Sequence, residues 1–156
     1  MTRTRLVVVG AVLVALGLTV FTGLQAHLSA ATADARTEAL AAARTRVPEL
    51  LSYDRATLDA DLQRALGQTT GSFTDDYEQI LTDVVEPTAK RRGISTKASI
   101  SGAGVVSGDR DEVVVLVFLT QSTSAKGGRV SVSGSRVEVT MERSGESWKI
   151  AGLKPV

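Results

Sequence analysis

The hydropathy pattern changes character three times along the chain. Residues Leu6 to Leu24 read LVVVGAVLVALGLTVFTGL, with no charge among them. At about 1.5 Å per residue such a run is about 28 Å long as a helix, close to the hydrocarbon thickness of a bilayer. A lone segment crosses lipid only as a helix, because each backbone N–H must find its partner internally. A transmembrane helix is therefore expected over residues 6–24. From 25 to 47 the apolar positions thin to alanines among spaced Arg and Glu. These are good helix formers, and they predict a helical stalk that continues the membrane helix. Pro48 should end or bend it, since proline donates no N–H and disfavours helix at Val47.

Two more helices are expected beyond Pro48. The first runs from about Ala56 to Leu66, with Asp54 positioned to cap it and Gly67 to stop it. Leu58, Leu62, Ala65 and Leu66 share one face. The second starts near Ser72, an N-cap type, and Asp75 and Asp76 suit its positive end. Phe73, Tyr77, Ile80, Leu81, Val84 and Val85 keep helical spacing and form a broad apolar stripe. Pro87 is expected to interrupt it. A last turn over 88–92 then precedes Gly93, with Lys90, Arg91 and Arg92 suiting a helix C-terminus.

After Gly93 the period falls to two. Four strands are expected, at about 94–106, 112–123, 129–143 and 147–153. Gly108-Asp109, Ala125 to Gly128 and Ser144-Gly145-Glu146 mark the turns between them. Such short turns imply antiparallel neighbours. Val130 and Val132 are even-numbered, whereas Val137, Val139 and Met141 are odd, so a bulge is expected near Gly134-Ser135. Gly102 and Gly104 allow a similar bend in the first strand. The second strand carries the unbroken run Val113 to Leu119, apolar on both faces. One face should meet the helices, and the other calls for cover by a partner or a second copy. Helices followed by a curved meander predict an α+β fold, with helices packed into a concave four-stranded antiparallel sheet.

Charge adds an orientation. Arg3 and Arg5 precede the apolar run, the first charge after it is Asp34, and the next basic residue is Arg36. The positive-inside rule puts residues 1–5 in the cytoplasm, with the stalk (25–47) and an α+β domain (48–156) outside it. A cleaved signal peptide is the rival reading, since Ala31-Thr32-Ala33 has the small-x-small pattern. The apolar core exceeds the roughly 7–15 residues of such peptides, which favours a retained anchor. With 18 basic and 17 acidic residues, no basic face for nucleic acid is indicated. No cysteine is present, so disulfides are excluded.

Candidate chemistry is sparse. Proton transfer would need a pocket carboxylate and a Tyr or protonated acid as oxyanion donor. Tyr53, Asp54, Asp59, Asp61 and Tyr77 are the available types. Asp54 is accounted for as a helix cap, and Asp59 and Asp61 as solvated edge charges, with Asp61 able to pair with Arg64 one turn on. Both tyrosines read as core-edge residues with the hydroxyl at the surface. His27, the one histidine, lies beside the apolar run, so neither a nucleophile–His pair nor an N/S zinc site is supported. Asp109, Asp111 and Glu112 read as a solvated turn, without the EF-hand pattern. Gly102, Gly104 and Gly108 do not follow the order of a phosphate loop. Trp148, beside Ile150, reads as core, or alternatively as the wall of a lipid cavity. No cofactor is expected. Tyr53, Tyr77, Val115, Val117, Leu119 and Trp148 stand as the candidate partner or cavity surface.

Several stretches together resemble the Mce-associated membrane protein family of actinobacteria. They are Val47-Pro48-Glu49-Leu50-Leu51-Ser52-Tyr53-Asp54, Thr57 to Leu62, Thr70-Gly71-Ser72-Phe73 with Tyr77, and Gly104-Val105-Val106. Val115 to Phe118, Ser135-Arg136-Val137, Gly145 to Ile150 and the closing Leu153-Lys154-Pro155-Val156 continue the series. The resemblance implies a cone-shaped fold like those of ketosteroid isomerase and nuclear transport factor 2. It also implies a non-enzymatic accessory that stabilises or assembles an Mce-type lipid or sterol import complex. The expected partners are the bilayer through residues 6–24, Mce subunits, and related membrane proteins or a second copy. Two alternatives remain open: a lipid-binding or shuttling module that uses the cone cavity, and a membrane-tethered isomerase-like enzyme.

Overall fold

The computed structural model describes residues 30–128 and 130–156. The cytoplasmic tail expected over 1–5, the membrane helix expected over 6–24 and His27 lie outside the described residues. Among the described residues no helix is long and apolar enough to cross a membrane. Contacts divide the chain into Met1–Asp34 and Ala35–Val156. In the first unit residues 30–34 are helical. The second unit begins with helix α1, residues 35–51.

Helix α1 corrects the stalk expectation. Ala35, Ala39, Ala43, Val47 and Leu50 repeat at helical spacing, and all are buried in the main hydrophobic cluster. Alanine has no atoms beyond Cβ, so the helix axis approaches the sheet closely along this stripe. The segment is therefore part of the core from Ala35 onward, and the expected boundary at residue 48 falls inside a helix. Pro48 does not end it, since helix continues to Leu51. A proline in the final turn removes a single i→i−4 bond, and the buried Val47 and Leu50 hold that turn in place.

Helix α2 (Leu58–Leu66) begins two residues later than expected. Asp54 caps a turn rather than the helix: its Oδ1 accepts the Ala56 N–H at 2.8 Å, and its carbonyl accepts that of Thr57 at 3.1 Å. Helix α3 (Ser72–Ile80) starts with Ser72 already helical. Its N-cap is Gly71, at φ 62°, a conformation that suits glycine. Leu81–Val85 forms a π-helical turn, and α4 covers Glu86–Arg92. Pro87 thus does not interrupt the helical run. It sits at the second residue of α4, directly after the π-helical turn, and helix continues through it. The expected apolar stripe is also narrower than its spacing suggests, because only Leu81 is buried while Ile80 and Val84 are exposed. Gly93 closes α4 in the left-handed conformation.

The sheet runs β1-β2-β3-β4, with each neighbouring pair antiparallel. Its strands are β1 (Ser95–Gly108), β2 (Glu112–Ser124), β3 (Val130–Ser144) and β4 (Ser147–Pro155). Register shifts in β1 between Ile100 and Gly102, and between Val105 and Ser107, lie where Gly102 and Gly104 suggested a bend. The bulge expected at Gly134-Ser135 is absent, as β2 pairs β3 without a shift from Glu112↔Glu142 to Ser124↔Val130. The change of parity has another cause: Val130 and Val132 point outward, 64% and 67% exposed.

Val113, Val115, Val117 and Leu119 of β2, Val137, Val139 and Met141 of β3, and Trp148 and Ile150 of β4 face α1 and fill the concave side. A second cluster, Leu58, Leu62, Leu81 and Ala89, joins the three shorter helices. Both sheet edges are covered. On β1, Tyr53 and Thr96 exchange backbone hydrogen bonds at 2.9 and 2.8 Å, and Ser52 Oγ accepts the Ala98 N–H at 2.9 Å. Further along, Arg44 donates to the Ala103 carbonyl at 3.2 Å, and Arg36 donates twice to the Gly108 carbonyl at 3.1 and 2.8 Å. On β4, Ile150 donates to the Gln68 carbonyl and accepts from the Thr70 N–H, both at 2.9 Å.

Candidate functional site

Three places could carry function: the interior beneath the two tyrosines, the polar cleft beside them, and the outward face of the sheet. The interior space left by the core is about 220 Å³. Leu62, Ala65, Leu81, Tyr53 and Tyr77 wall it, and Gln121 and Thr123 also line it. Tyr77 does not present its hydroxyl at the surface. It donates to the Leu50 carbonyl at 2.7 Å and so satisfies a carbonyl in the last turn of α1. Burial, and to a lesser degree the neighbouring Tyr53, push its pKa well above the ordinary value. Tyr77→Phe keeps the ring packing but strands that carbonyl. It should lower stability by about 1–2 kcal/mol in denaturant titration. No loss at all would show that the bond contributes nothing.

The polar cleft, about 560 Å³, is lined by Glu49, Tyr53, Asp54, Asp61, Arg64 and Lys97 among others. Asp61 is not the solvated edge charge expected from the sequence, being only 6% exposed. Its Oδ2 accepts the Asp54 N–H and the Thr57 hydroxyl, each at 2.8 Å, and its Oδ1 accepts from Arg64 at 2.7 Å. The Thr57-x-x-x-Asp61-x-x-Arg64 spacing was the sequence signal for this arrangement. Burial by itself would raise the carboxyl's pKa. The three donors outweigh burial and hold it below the ordinary 3.8. A group of this kind is a poor general base near neutral pH. Asp59 is exposed and pairs with Lys90 at 3.1 Å. Tyr53 lines the same cleft as Asp54 and Asp61, while the Asp61 carboxylate is held by three donors and the Tyr77 hydroxyl by the Leu50 carbonyl.

The depressed pKa of Asp61 has a consequence for acid stability. Its ionised form stabilises the fold at pH above the unfolded value of about 4, and this contribution is lost as pH falls through the lower folded value. Asp61→Ala should cost roughly 1–2 kcal/mol at pH 7. Asp61→Asn should flatten the acid limb of the stability curve. An unchanged limb would mean that the carboxyl titrates alike in both states.

The sheet's concave side accounts for Val115, Val117, Leu119 and Trp148. All four are core residues, so they are not available to a partner. Trp148 Nε1 donates to Glu38 Oε2 at 3.2 Å, and the Arg143 guanidinium lies 4.6 Å from the ring centroid. Arg143 also donates to Glu38 at 3.0 Å. The Trp148 and Arg143 bonds, in that order, hold the Glu38 carboxyl below its ordinary pKa. The outward side of β2 carries the alternate residues: Val114 and Leu116, half-buried, and Phe118, 45% exposed. Sequence parity alone separates these two sets but does not say which set faces α1.

A curved antiparallel sheet closed on one side by helices makes an α+β domain with an NTF2-like fold. The same fold is seen in an IcmL-like type IV secretion system protein from Legionella pneumophila, with a TM-score of 0.68, 8% identity, and coverage of 78% of this chain and 91% of that one. An Ntf2-like protein involved in plasmid conjugation superposes with a TM-score of 0.51 at 11% identity, over 78% of this chain and 49% of that one. The fold implied by the sequence resemblance is thus the fold observed. By sequence, the chain belongs to the family described as uncharacterized protein Rv1363c/MT1408-like, whose model matches residues 3–155. The outer membrane protein Rv1973 of Mycobacterium tuberculosis is 35% identical over 145 residues, 91% of each chain.

Proposed function

We propose that the protein is a non-enzymatic accessory of the cell envelope. Residues 6–24 hold it in a bilayer with residues 1–5 in the cytoplasm, and the α+β domain acts outside, stabilising or assembling an Mce-type lipid or sterol import complex. One observation carries the reading. The concave face of the sheet is packed against its own helices, while the opposite face of β2 leaves Val114, Leu116 and Phe118 facing outward.

The interior pocket of about 220 Å³ is by itself below the roughly 300–1,000 Å³ usual for ligand pockets, which argues against a lipid tail held wholly inside. The buried Asp61 carboxylate and the Tyr77 hydroxyl are committed to structural bonds, which argues against their use in isomerase chemistry. The relative known as an outer membrane protein in Mycobacterium tuberculosis and the fold shared with a type IV secretion system protein favour an envelope location. The resemblance in sequence supports the Mce partner. A membrane anchor would raise the domain's effective concentration near such a partner without any further contact.

The test is co-purification of the full-length chain from native membranes in mild detergent, with mass spectrometry of what travels with it. Mce or permease subunits should be recovered, and a Phe118→Asp chain, exposed at that position and still folded, should lose most of them. Recovery of the chain without these subunits would overturn the reading.

A further inference from the structure

The helical stretch from Ser72 to Arg92 leaves its middle uncovered. Ile80 is 48% and Val84 58% exposed, one turn apart, and neither joins a core cluster. They lie two residues either side of Thr82, the midpoint of the stretch. Acidic residues lie on both sides of that point, Asp75, Asp76 and Glu78 before it and Asp83 and Glu86 after it, whereas the basic residues Lys90, Arg91 and Arg92 all lie in the last turns. Asp75 and Asp76 stand in the first turns, and Arg91 and Arg92 in the last. Lys90 is taken up by Glu86 and Asp59, at 2.6 and 3.1 Å. Asp75, Asp76, Arg91 and Arg92 enter no ion pair among the described residues.

The signs taken alone suit the helix macrodipole, negative near the N-terminus and positive near the C-terminus. The dipole gives no reason for an exposed apolar pair between them. A two-fold contact does. Such a contact joins one patch to the same patch on a second copy, so it needs a surface complementary to itself. Asp76, Ile80, Val84 and Arg91 recur at helical spacing, and a stripe acidic at one end, apolar at its centre and basic at the other has that property when it is laid antiparallel on its twin.

We propose that two copies of this chain associate through Ser72–Arg92, antiparallel, about an axis near Thr82. Ile80 of each copy then packs on Val84 of the other. Asp76 of each comes within about one helical turn, about 5 Å, of the other's Arg91, inside the reach of a guanidinium. A single helix pair falls at the small end of protein interfaces, so the association is weak and salt-sensitive in dilute solution. The contact lies on the helices, away from the outward sheet face, so it stands or falls separately from any partner bound there.

The natural chain has no cysteine, so an introduced thiol is the only one present. Full-length Ile80→Cys and Val84→Cys chains, differently tagged and mixed in mild detergent, are oxidised gently. Both positions are exposed, so the fold is left intact. The mixed disulfide should exceed either self-linked product several-fold, because the antiparallel register sets like positions about one turn apart. Asp75→Lys with Asp76→Lys, placed in both chains, should lower the yield about tenfold or more, and so should Arg91→Glu with Arg92→Glu. Mixing one reversed set with the other should restore it. The proposal is overturned by a yield indifferent to these reversals, by equal self-linked and mixed products, or by absence of the link. It is equally overturned if Phe118→Cys chains join while the helix positions do not.

Discussion

Replacing Trp148 by alanine should lower the unfolding free energy by about 3–5 kcal/mol, the range for deleting a buried indole. The ring is 4% exposed and belongs to the main core. Its loss opens a cavity under α1 and also removes the donor to Glu38 and the surface on which Arg143 stacks. Urea denaturation followed by far-UV circular dichroism measures the change, since the variant lacks the only tryptophan. Trp148→Phe separates the two contributions. Phenylalanine fills much of the volume but has no N–H, so it should lose markedly less than alanine. A loss below about 1 kcal/mol for the alanine variant would mean that the core closes around the gap.

The second large effect comes from adding atoms. Ala43→Leu should destabilise by about 2–3 kcal/mol, whereas Ala41→Leu, two residues away, should stay within about 0.5 kcal/mol of the natural chain. Both changes are alanine to leucine in the same helix, so helix propensity is nearly constant between them. Ala43 is fully buried in the core, and Ala41 is exposed. The difference measures how closely α1 rests on the sheet. Thermal melts of the two variants side by side give the comparison. Equal melting temperatures would place α1 farther from the sheet than the buried alanine stripe implies.

That alanine stripe also shows where sequence reading succeeds and where it stops. The strands were legible within about two residues at each end, because alternation is a property of the chain alone. The helices were legible in kind but not in role. Alanine at every fourth position fits a free stalk and a close-packed core helix equally well, and only the sheet distinguishes them. Asp61 was misread for the same reason. On a helical wheel it borders the Leu58 and Leu62 stripe, and its burial follows from the turn at Asp54 folding back over it. The candidate surface of Val115, Val117 and Leu119 lies on the buried face of β2. Both faces of β2 are apolar, so parity could not decide which one α1 covers. Ile80 and Val84 are the converse case: their spacing is that of core residues, but the π-helical turn at Leu81–Val85 follows and only Leu81 is buried.

The covered margins of the sheet limit the ways in which these molecules can join. Arg36, Arg44, Ser52 and Tyr53 engage the open side of the first strand, and Gln68 and Thr70 engage Ile150 on the last. At Thr96, Ala98 and Ile150 the edge amides are already claimed, so an incoming strand cannot add a rung at those places without displacing the chain's own contacts. Edge-to-edge laddering into fibrils is hindered there.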